Sequence, residues 1–402
     1  MNKSFFKGNR QKIINILNQD VLVLAGYSAV QKNNDTSYKF EQESNFWYLT
    51  GIESPNWWLI IDCPRQETYL VKPSIDESLE IFEGSLSAEK AQKISGVEKI
   101  LSHMEALSLL ERLARQHKTV HTISKDPYAR HYSFELNPGP QKLQRRLKRT
   151  FEEVKDCRME LAKLRAIKQP TEIKVIKQAI DLTIGGFDQV KNKLASLKHE
   201  YEVEAVFSYH FRSSGATGHA YDPIVACGIN ACTLHYGDNN DHLQRDKLLL
   251  IDIGARVDGY AADITRTYAL GQPTKRQIQI HSAIQAAHNQ IIDLLRPGLR
   301  IKDYQNSVNG IMKKALMSIG VMESVNDDKA YRHYFPHAIS HGLGIDVHDS
   351  LGRPEEFLPG MVLTVEPGVY IPQESLGVRI EDDVLITEVG RAVLSGKLST
   401  DL

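Results

Sequence analysis

Long apolar runs are missing from this chain: no window approaches the roughly 18 consecutive apolar residues of a membrane helix, so a bilayer is not among its expected partners. The opening MNKSFFKGNRQK has no continuous apolar core of the secretory type, and a cytoplasmic enzyme is the expectation. An excess of one sign of charge is missing too. With 49 basic against 50 acidic residues and a formal net charge of −1, nothing global draws the chain to nucleic acid or an anionic surface. Cysteine is sparse, with Cys63, Cys157, Cys227 and Cys232 irregularly spaced. No second Cys/His pair near Cys227 and Cys232 completes structural-zinc spacing, so they read as free core thiols. No Gly-x-Ser-x-Gly elbow supplies a serine nucleophile. His337 and His341 are four apart, but Ala338 stands where a His-Glu-x-x-His zinc helix needs glutamate.

What is present is an ordinary globular composition, 42% hydrophobic and 25% charged over 402 residues, long enough for two domains. Residues 1–150 mix an amphipathic helix at Lys7–Leu17 with short buried strands at Val21–Ala25, Phe46–Leu49, Trp58–Ile61 and Thr68–Val71. Ser87–Ile94 and Met104–Ala114 read as helices, making a small α/β domain. Phe46, Trp47, Tyr48, Trp57 and Trp58 read as core or interface, because no interleaved basic groove makes them a stacking platform. Arg145, Arg146, Lys148 and Arg149 belong to a solvated, charge-rich connecting face. Asn137-Pro138-Gly139-Pro140 and Pro170 are breakers, which puts the boundary near residue 150 and a helical connector over 151–170.

Residues 171–402 alternate helices with strands that carry acids in apolar surroundings. Helices are expected from Thr171, with Ile173, Ile176, Ile180 and Ile184 on one side, from the Thr274–Gln277 capping box, and over Ile301–Ile319. Strands are expected at Ala231–Tyr236, Ile339–Asp349, Met361–Ile371 and Val378–Ile386. In Leu248–Thr267 two apolar runs flank Asp258-Gly259, a tight-hairpin signal. That turn pairs Asp263 with Gly254, one step diagonal from Asp252, so both carboxylates share a face. A second hairpin through Pro372–Leu376 sets Glu366 almost opposite Glu381, which hints at an internal pseudo-repeat. With His341 the set becomes four carboxylates and one imidazole. Any one acid reads equally well as a structural carboxylate; together they call for positive charge between them. Such a donor set suits Mn2+ and related divalent ions, and four negative charges suit two ions roughly 3.5–4 Å apart.

Five segments carry a resemblance to a known family. Ile251–Gly254, Ala262–Thr267, Ser340–Asp349, Val365–Gly368 and Arg379–Asp383 resemble the metallopeptidase motifs of the pita-bread fold, with aminopeptidase P the nearest group. Asp35–Gly51, Leu164–Ile173 and Ile224–Tyr236 extend the likeness over nearly the whole chain. The resemblance implies an α/β (α+β) protein: a pita-bread catalytic domain over 171–402, its curved antiparallel sheet covered by helices, after a smaller α/β domain. It implies Asp252 on one metal, His341 and Glu366 on the other, and Asp263 and Glu381 bridging. A metal-bridging hydroxide is then the nucleophile and Glu366 a proton shuttle. His348 and His235 contact the peptide carbonyl or stabilise the tetrahedral oxyanion, His337 lines the leaving-side pocket, Arg379 orients its neighbours, and Tyr370 supports the intermediate. Mn2+ is the first choice of ion, with Co2+, Fe2+ or Zn2+ as alternatives. The substrate is a proline-containing peptide cut after its N-terminal residue. A homodimer or homotetramer is expected, with Asp35 of a neighbour bordering the cleft. A prolidase confined to dipeptides shares the ligand set; a metal-free peptide-binding scaffold is the reading from another class.

Overall fold

The computed structural model describes residues 1–124 and 135–402, which form two compact units, Met1–Leu164 and Arg165–Leu402. The first unit is built on a six-stranded mixed sheet. Its order is Lys99–Leu101, Glu67–Val71, Trp58–Asp62, Val21–Ala25, Thr119–Thr122 and Glu153–Asp156. Val21, Val23, Ile60 and Val120 pack with Leu109, Leu110 and Leu113 of helix His103–Ala114 and Leu143 and Leu147 of helix Pro138–Thr150. Breakers thus serve as a helix start: Asn137 caps, and Pro138 enters at the first turn, where its missing N–H costs nothing.

Two expectations in this unit are corrected. Phe46–Leu49 is no strand but the middle of helix Ser44–Thr50, capped by Glu43 and ended by Gly51 at φ 70°. All seven of its residues are buried, with Trp47 against Phe6 and Tyr48 against Phe5 at ring separations of 5.6 and 5.8 Å. A short helix buried all round has no polar face, so its apolar run carries no period to tell it from a strand. The stretch 151–170 is likewise not continuous helix. Glu153–Asp156 adds to the sheet in parallel beside Thr119–Thr122 before helix Arg158–Ala166 begins.

The second unit carries helices Pro170–Lys193, Glu200–Ser213, Lys275–Leu294 and Ile301–Ser318 around antiparallel strand pairs. Ile280, Ile284, Ile291, Val308, Met312 and Leu316 bury the last two helices against Leu363, Val365, Val378 and Val384. The expected capping box is present, with Thr274 and Gln277 reciprocally bonded. Strand Leu248–Ile253 pairs antiparallel with Ile224–Cys227 on one side and Ile264–Ala269 on the other. Val362–Val365 pairs with Asp382–Ile386, and Gly368–Ile371 with Leu376–Arg379. The two systems meet where Glu381 N–H donates to Thr265 O at 3.0 Å and Arg379 N–H to Thr267 Oγ1 at 3.2 Å.

Two further strands are corrected. Ala231–Tyr236 is not extended: a 3-10 turn over Gly228–Cys232 leads into a second turn closed by Tyr236 N–H on Thr233 O at 3.2 Å. Ile339–Asp349 is strand-like only at its start, where Leu343, Thr364 and Glu366 exchange backbone bonds between that segment and Val362–Val365. Beyond it the chain turns back, and Gly342 approaches Asp349 so closely that a Cβ would lie 2.3 Å from its carbonyl oxygen. The glycines that suggested a strand bordered by turns are in fact used for close approach within one loop.

The first hairpin depends on one such glycine. Registers Ile253↔Ile264 and Arg256↔Ala261 set Gly254 opposite Asp263, and a Cβ on Gly254 would stand 1.7 Å from the Ala262 carbonyl oxygen. Gly254→Ala should therefore lower unfolding stability by about 1–3 kcal/mol or more, read from urea midpoints; an unchanged midpoint contradicts this register.

Candidate metal centre

Each acid owes its place to a strand end or a break between strands. Asp252 is the fifth residue of Leu248–Ile253, sharing a face with Leu248 and Leu250. Asp263 occupies the interruption between Tyr260–Ala261 and Ile264–Ala269. In the second hairpin Val365↔Asp382 and Gly368↔Arg379 bracket Glu366 and Glu381, with Ile380 N–H on Pro367 O at 3.2 Å between them. Glu366 therefore faces Glu381. The 3-10 turn Pro372–Glu374 and Ser375 at φ 50° close this hairpin.

The donor atoms converge. His341 Nε2 lies 3.4 Å from Asp263 Oδ2 and 3.5 Å from Glu366 Oε1. Donor atoms of Asp263, His341 and Glu381 all fall within 4.8 Å of one another. Asp252 joins through Tyr221, whose single hydroxyl stands between Asp252 Oδ1 at 2.5 Å and Asp263 Oδ1 at 2.6 Å. His341 Nδ1 stands 3.0 Å from the Gly342 carbonyl; because a carbonyl only accepts, Nδ1 carries the hydrogen, and a proton lost from the ring leaves Nε2, the nitrogen that faces the acids, open to a cation. Four carboxylates and one imidazole so oriented fit hard to borderline divalent cations.

The electrostatics point the same way. Burial raises Glu366 to about 7, against the pull of His341. Burial raises Asp263, and raises Glu381 well above the ordinary range with Asp263 and Glu366 adding to the effect. For His341 burial alone disfavours charge, but its bond to Asp263 and the charge of Glu366 outweigh it, lifting the ring to about 9. Like charges crowded out of water hold on to protons until another cation replaces them.

Around this core Arg379 donates Nη2 to Asp252 Oδ2 at 2.6 Å and Nη1 to the Tyr370 hydroxyl at 2.8 Å. Tyr370 lies 2.8 Å from His337 Nε2, while His337 Nδ1 faces the Ala338 carbonyl at 2.8 Å and Glu366 at 3.4 Å. Burial, then the Arg379 charge, lowers His337 to about 3, so it stands neutral and accepts the Tyr370 hydrogen. The His348 ring sits 4.4 Å from that of His341 and is lowered to about 4, first by burial and then by His341. His235 is exposed and makes no hydrogen bond to the acids; it lies near enough to contribute to the lowering of His337 and His348.

Several partners escaped the sequence analysis. Tyr221 has no local signal, since it meets acids 31 and 42 residues away. Thr265 Oγ1 donates to Glu381 Oε2 at 2.6 Å, and Thr364 Oγ1 to Glu366 Oε1 at 3.3 Å. Both threonines are fully buried, and the available clue was a hydroxyl residue set in a strand one or two positions from an acid. Asp383, wholly buried, accepts the Asp263 N–H at 3.2 Å. Burial and the nearby Asp263 raise it well above the ordinary range.

Acids gathered between facing hairpins beside an imidazole make a donor set for divalent metal, and comparison gives the family. Residues 174–388 match metallopeptidase family M24, and residues 6–121 match the aminopeptidase P N-terminal domain. The chain is 33% identical over 399 residues to a Haemophilus influenzae Xaa-Pro aminopeptidase, covering 94% of this chain and 90% of that protein. It is 32% identical to the Escherichia coli (strain K12) Xaa-Pro aminopeptidase, covering 92% and 89%. The structure of E. coli aminopeptidase P with the inhibitor Pro-Leu superposes with a TM-score of 0.86 at 29% identity, covering all of this chain and 96% of that one. The chain belongs to the aminopeptidase P group of metallopeptidase family M24, and it is a hydrolase. Membership in a metallopeptidase family carries with it bound divalent ions.

Raised carboxyl pKa values make a directional prediction. In metal-free protein the stability Glu366 contributes is full below its unfolded value of roughly 4.3 and is lost as pH rises through about 7. Chelator-treated protein should therefore lose thermal stability from about pH 5 to about pH 8, and saturating Mn2+ should raise the Tm more at the upper end. Glu381→Gln should blunt both effects. A Tm indifferent to chelator and Mn2+ across this range contradicts the centre.

Proposed function

We propose that this chain is a dinuclear, metal-dependent aminopeptidase that releases the N-terminal residue from peptides with proline in second position. The observation that carries the reading is the convergence of Asp263, Glu366 and Glu381, from two facing hairpins, on the Nε2 side of His341, with Asp252 joined to them through Tyr221. Asp252, Asp263, His341, Glu366 and Glu381 would hold two divalent ions, Mn2+ first. When bound, the ions supply Lewis-acid polarisation of the scissile carbonyl and an activated water as nucleophile. The chemistry is assigned to the second unit; the first is read as the aminopeptidase P-like N-terminal domain.

The surrounding side chains complete the work. Glu366, with a pKa near 7 before metal binding, takes the proton of the attacking water and delivers it to the leaving nitrogen. His348 and His235 donate to the carbonyl oxygen as negative charge develops there. The neutral ring of His337, backed by Tyr370, offers an apolar wall to the proline side. Arg379 holds Tyr370 and Asp252 in one geometry through its two Nη bonds. This suits a proline bond. Proline has no N–H for an extended-backbone protease to bind, and its ring demands an apolar seat. The free amino terminus of the substrate favours the neighbourhood of the acids. A homodimer or homotetramer in the cytoplasm is the setting we propose, and light scattering that finds only monomer would reject the assembly.

A panel of Xaa-Pro-Xaa and Xaa-Pro peptides, run with defined metals, tests the reading. Turnover of tripeptides with release of the first residue is expected, together with loss in Asp263→Ala beyond the 10–100-fold (about) that losing an outer partner costs. Activity confined to dipeptides means a prolidase. Peptide binding without turnover, with or without Mn2+, means a scaffold.

A further inference from the structure

His235 does not share the rigid setting of the acids. It lies in a turn between Cys227 and Asp241, where the only regular element is the 3-10 turn Gly228–Cys232. No ladder fixes that backbone. One buried carboxylate binds it at four points, beside the contact of Cys232 Sγ with Leu376 O at 3.4 Å.

Glu200 opens helix Glu200–Ser213 and is fully buried. Its Oε1 accepts the Cys227 N–H at 2.7 Å and the Asn230 side-chain amide at 3.1 Å. Its Oε2 accepts the Tyr236 hydroxyl at 2.9 Å and the Asp241 N–H at 2.9 Å. Two of these donors precede His235 and two follow it. Asn230 also donates to Asp241 Oδ2 at 2.8 Å, closing the loop on itself. One helical turn on, Glu204 accepts from the Asn239 side chain at 2.8 Å, and Asn239 Oδ1 takes the Val225 N–H at 3.0 Å. Among the described residues no cation forms an ion pair with Glu200.

All four partners give hydrogens, and an ionised carboxylate is the side chain that offers acceptors alone. Each oxygen takes one backbone N–H, a donor that cannot reverse. Glutamine would therefore turn its NH2 towards a backbone N–H whichever way its amide is flipped. So specific a requirement exceeds what burial of a loop needs. We propose that Glu200 is a positioning residue that sets the turn Thr233–Tyr236 and, through it, His235. The proposal rests on the reading above that His235 acts on the substrate carbonyl, and it adds how an exposed imidazole outside any strand is held to that task.

Glu200→Gln, His235→Ala and the double variant test it in the metal-loaded enzyme. Glu200→Gln should lower kcat/KM by about 10–100-fold, mainly through kcat, while divalent-ion affinity by calorimetry stays at the wild-type value. The double variant should lose no more than His235→Ala alone. Amides of residues 228–241 should exchange hydrogen faster in Glu200→Gln. Losses that multiply in the double variant, or unchanged exchange over 228–241, overturn the proposal. Wild-type kcat/KM in His235→Ala with faster exchange in Glu200→Gln sinks the role given to His235 and leaves the loop restraint standing. Should Glu200→Gln not fold, Tyr236→Phe removes one of the four donors and should act in the same direction more weakly; wild-type exchange and kcat/KM there overturn the proposal.

Discussion

Mutual repulsion among buried carboxylates is the constraint on which the second unit depends. Two like charges about 4 Å apart interact by roughly 4 kcal/mol at an effective dielectric of 20, a large share of a domain's whole stability. Asp252, Asp263 and Glu381 are all nearly inaccessible to solvent, so water does little to screen them. The fold must hold them together against this force until cations arrive. Strand ends do so better than free loops, because the residues that flank each acid are held in a ladder on both sides. That explains why both hairpins keep one unbroken register through the gap where their acids stand.

The restraint continues behind the site. Arg266 is wholly buried, and its guanidinium donates to the carbonyls of Thr265, Glu381, Leu398 and Ser399 and to Asp382 Oδ1 at 2.7 Å. Asp382 is further held by Ser395 at 2.6 Å and faces His288 at 3.2 Å. Burial alone would raise Asp382, but Arg266 and His288 bring it down to about 2. This ion pair therefore backs a strand whose neighbouring acids, Glu381 and Asp383, are pushed in the opposite direction by burial. Breaking such a pair leaves one buried charge unmet, which makes the back of the site as intolerant of change as the front. Arg165 and Lys168 do similar work on the loop that carries His341 and His348, through Asp349 at 2.9 and 3.2 Å.

Legibility in the sequence followed the range of the physics. Hairpins were readable because Asp258-Gly259 and Pro372–Leu376 are local signals, and a two-residue period then dictates which acids share a face. The pairings Asp263 with Gly254 and Glu366 with Glu381 hold in the structure. Tyr221 was beyond reach because nothing near it in the chain distinguishes it from a surface tyrosine. Phe46–Leu49 misled because full burial erases the difference between helix and strand. In Ile339–Asp349 and Ala231–Tyr236 the glycines and polar residues serve loops that aim histidines, and loops obey side-chain contacts from elsewhere more than their own pattern. The second of these owes its shape to Glu200, about thirty residues upstream, a relation no periodicity encodes.

In the proposed site two facing hairpins and His341 hold two cations. The most direct test is the number of divalent ions retained per chain after exhaustive dialysis from Mn2+, measured by elemental analysis on wild type and on Asp252→Asn. Two per chain are expected in the wild type and fewer in the variant. A wild-type value of one or none, or a variant that retains the full wild-type complement, would contradict it.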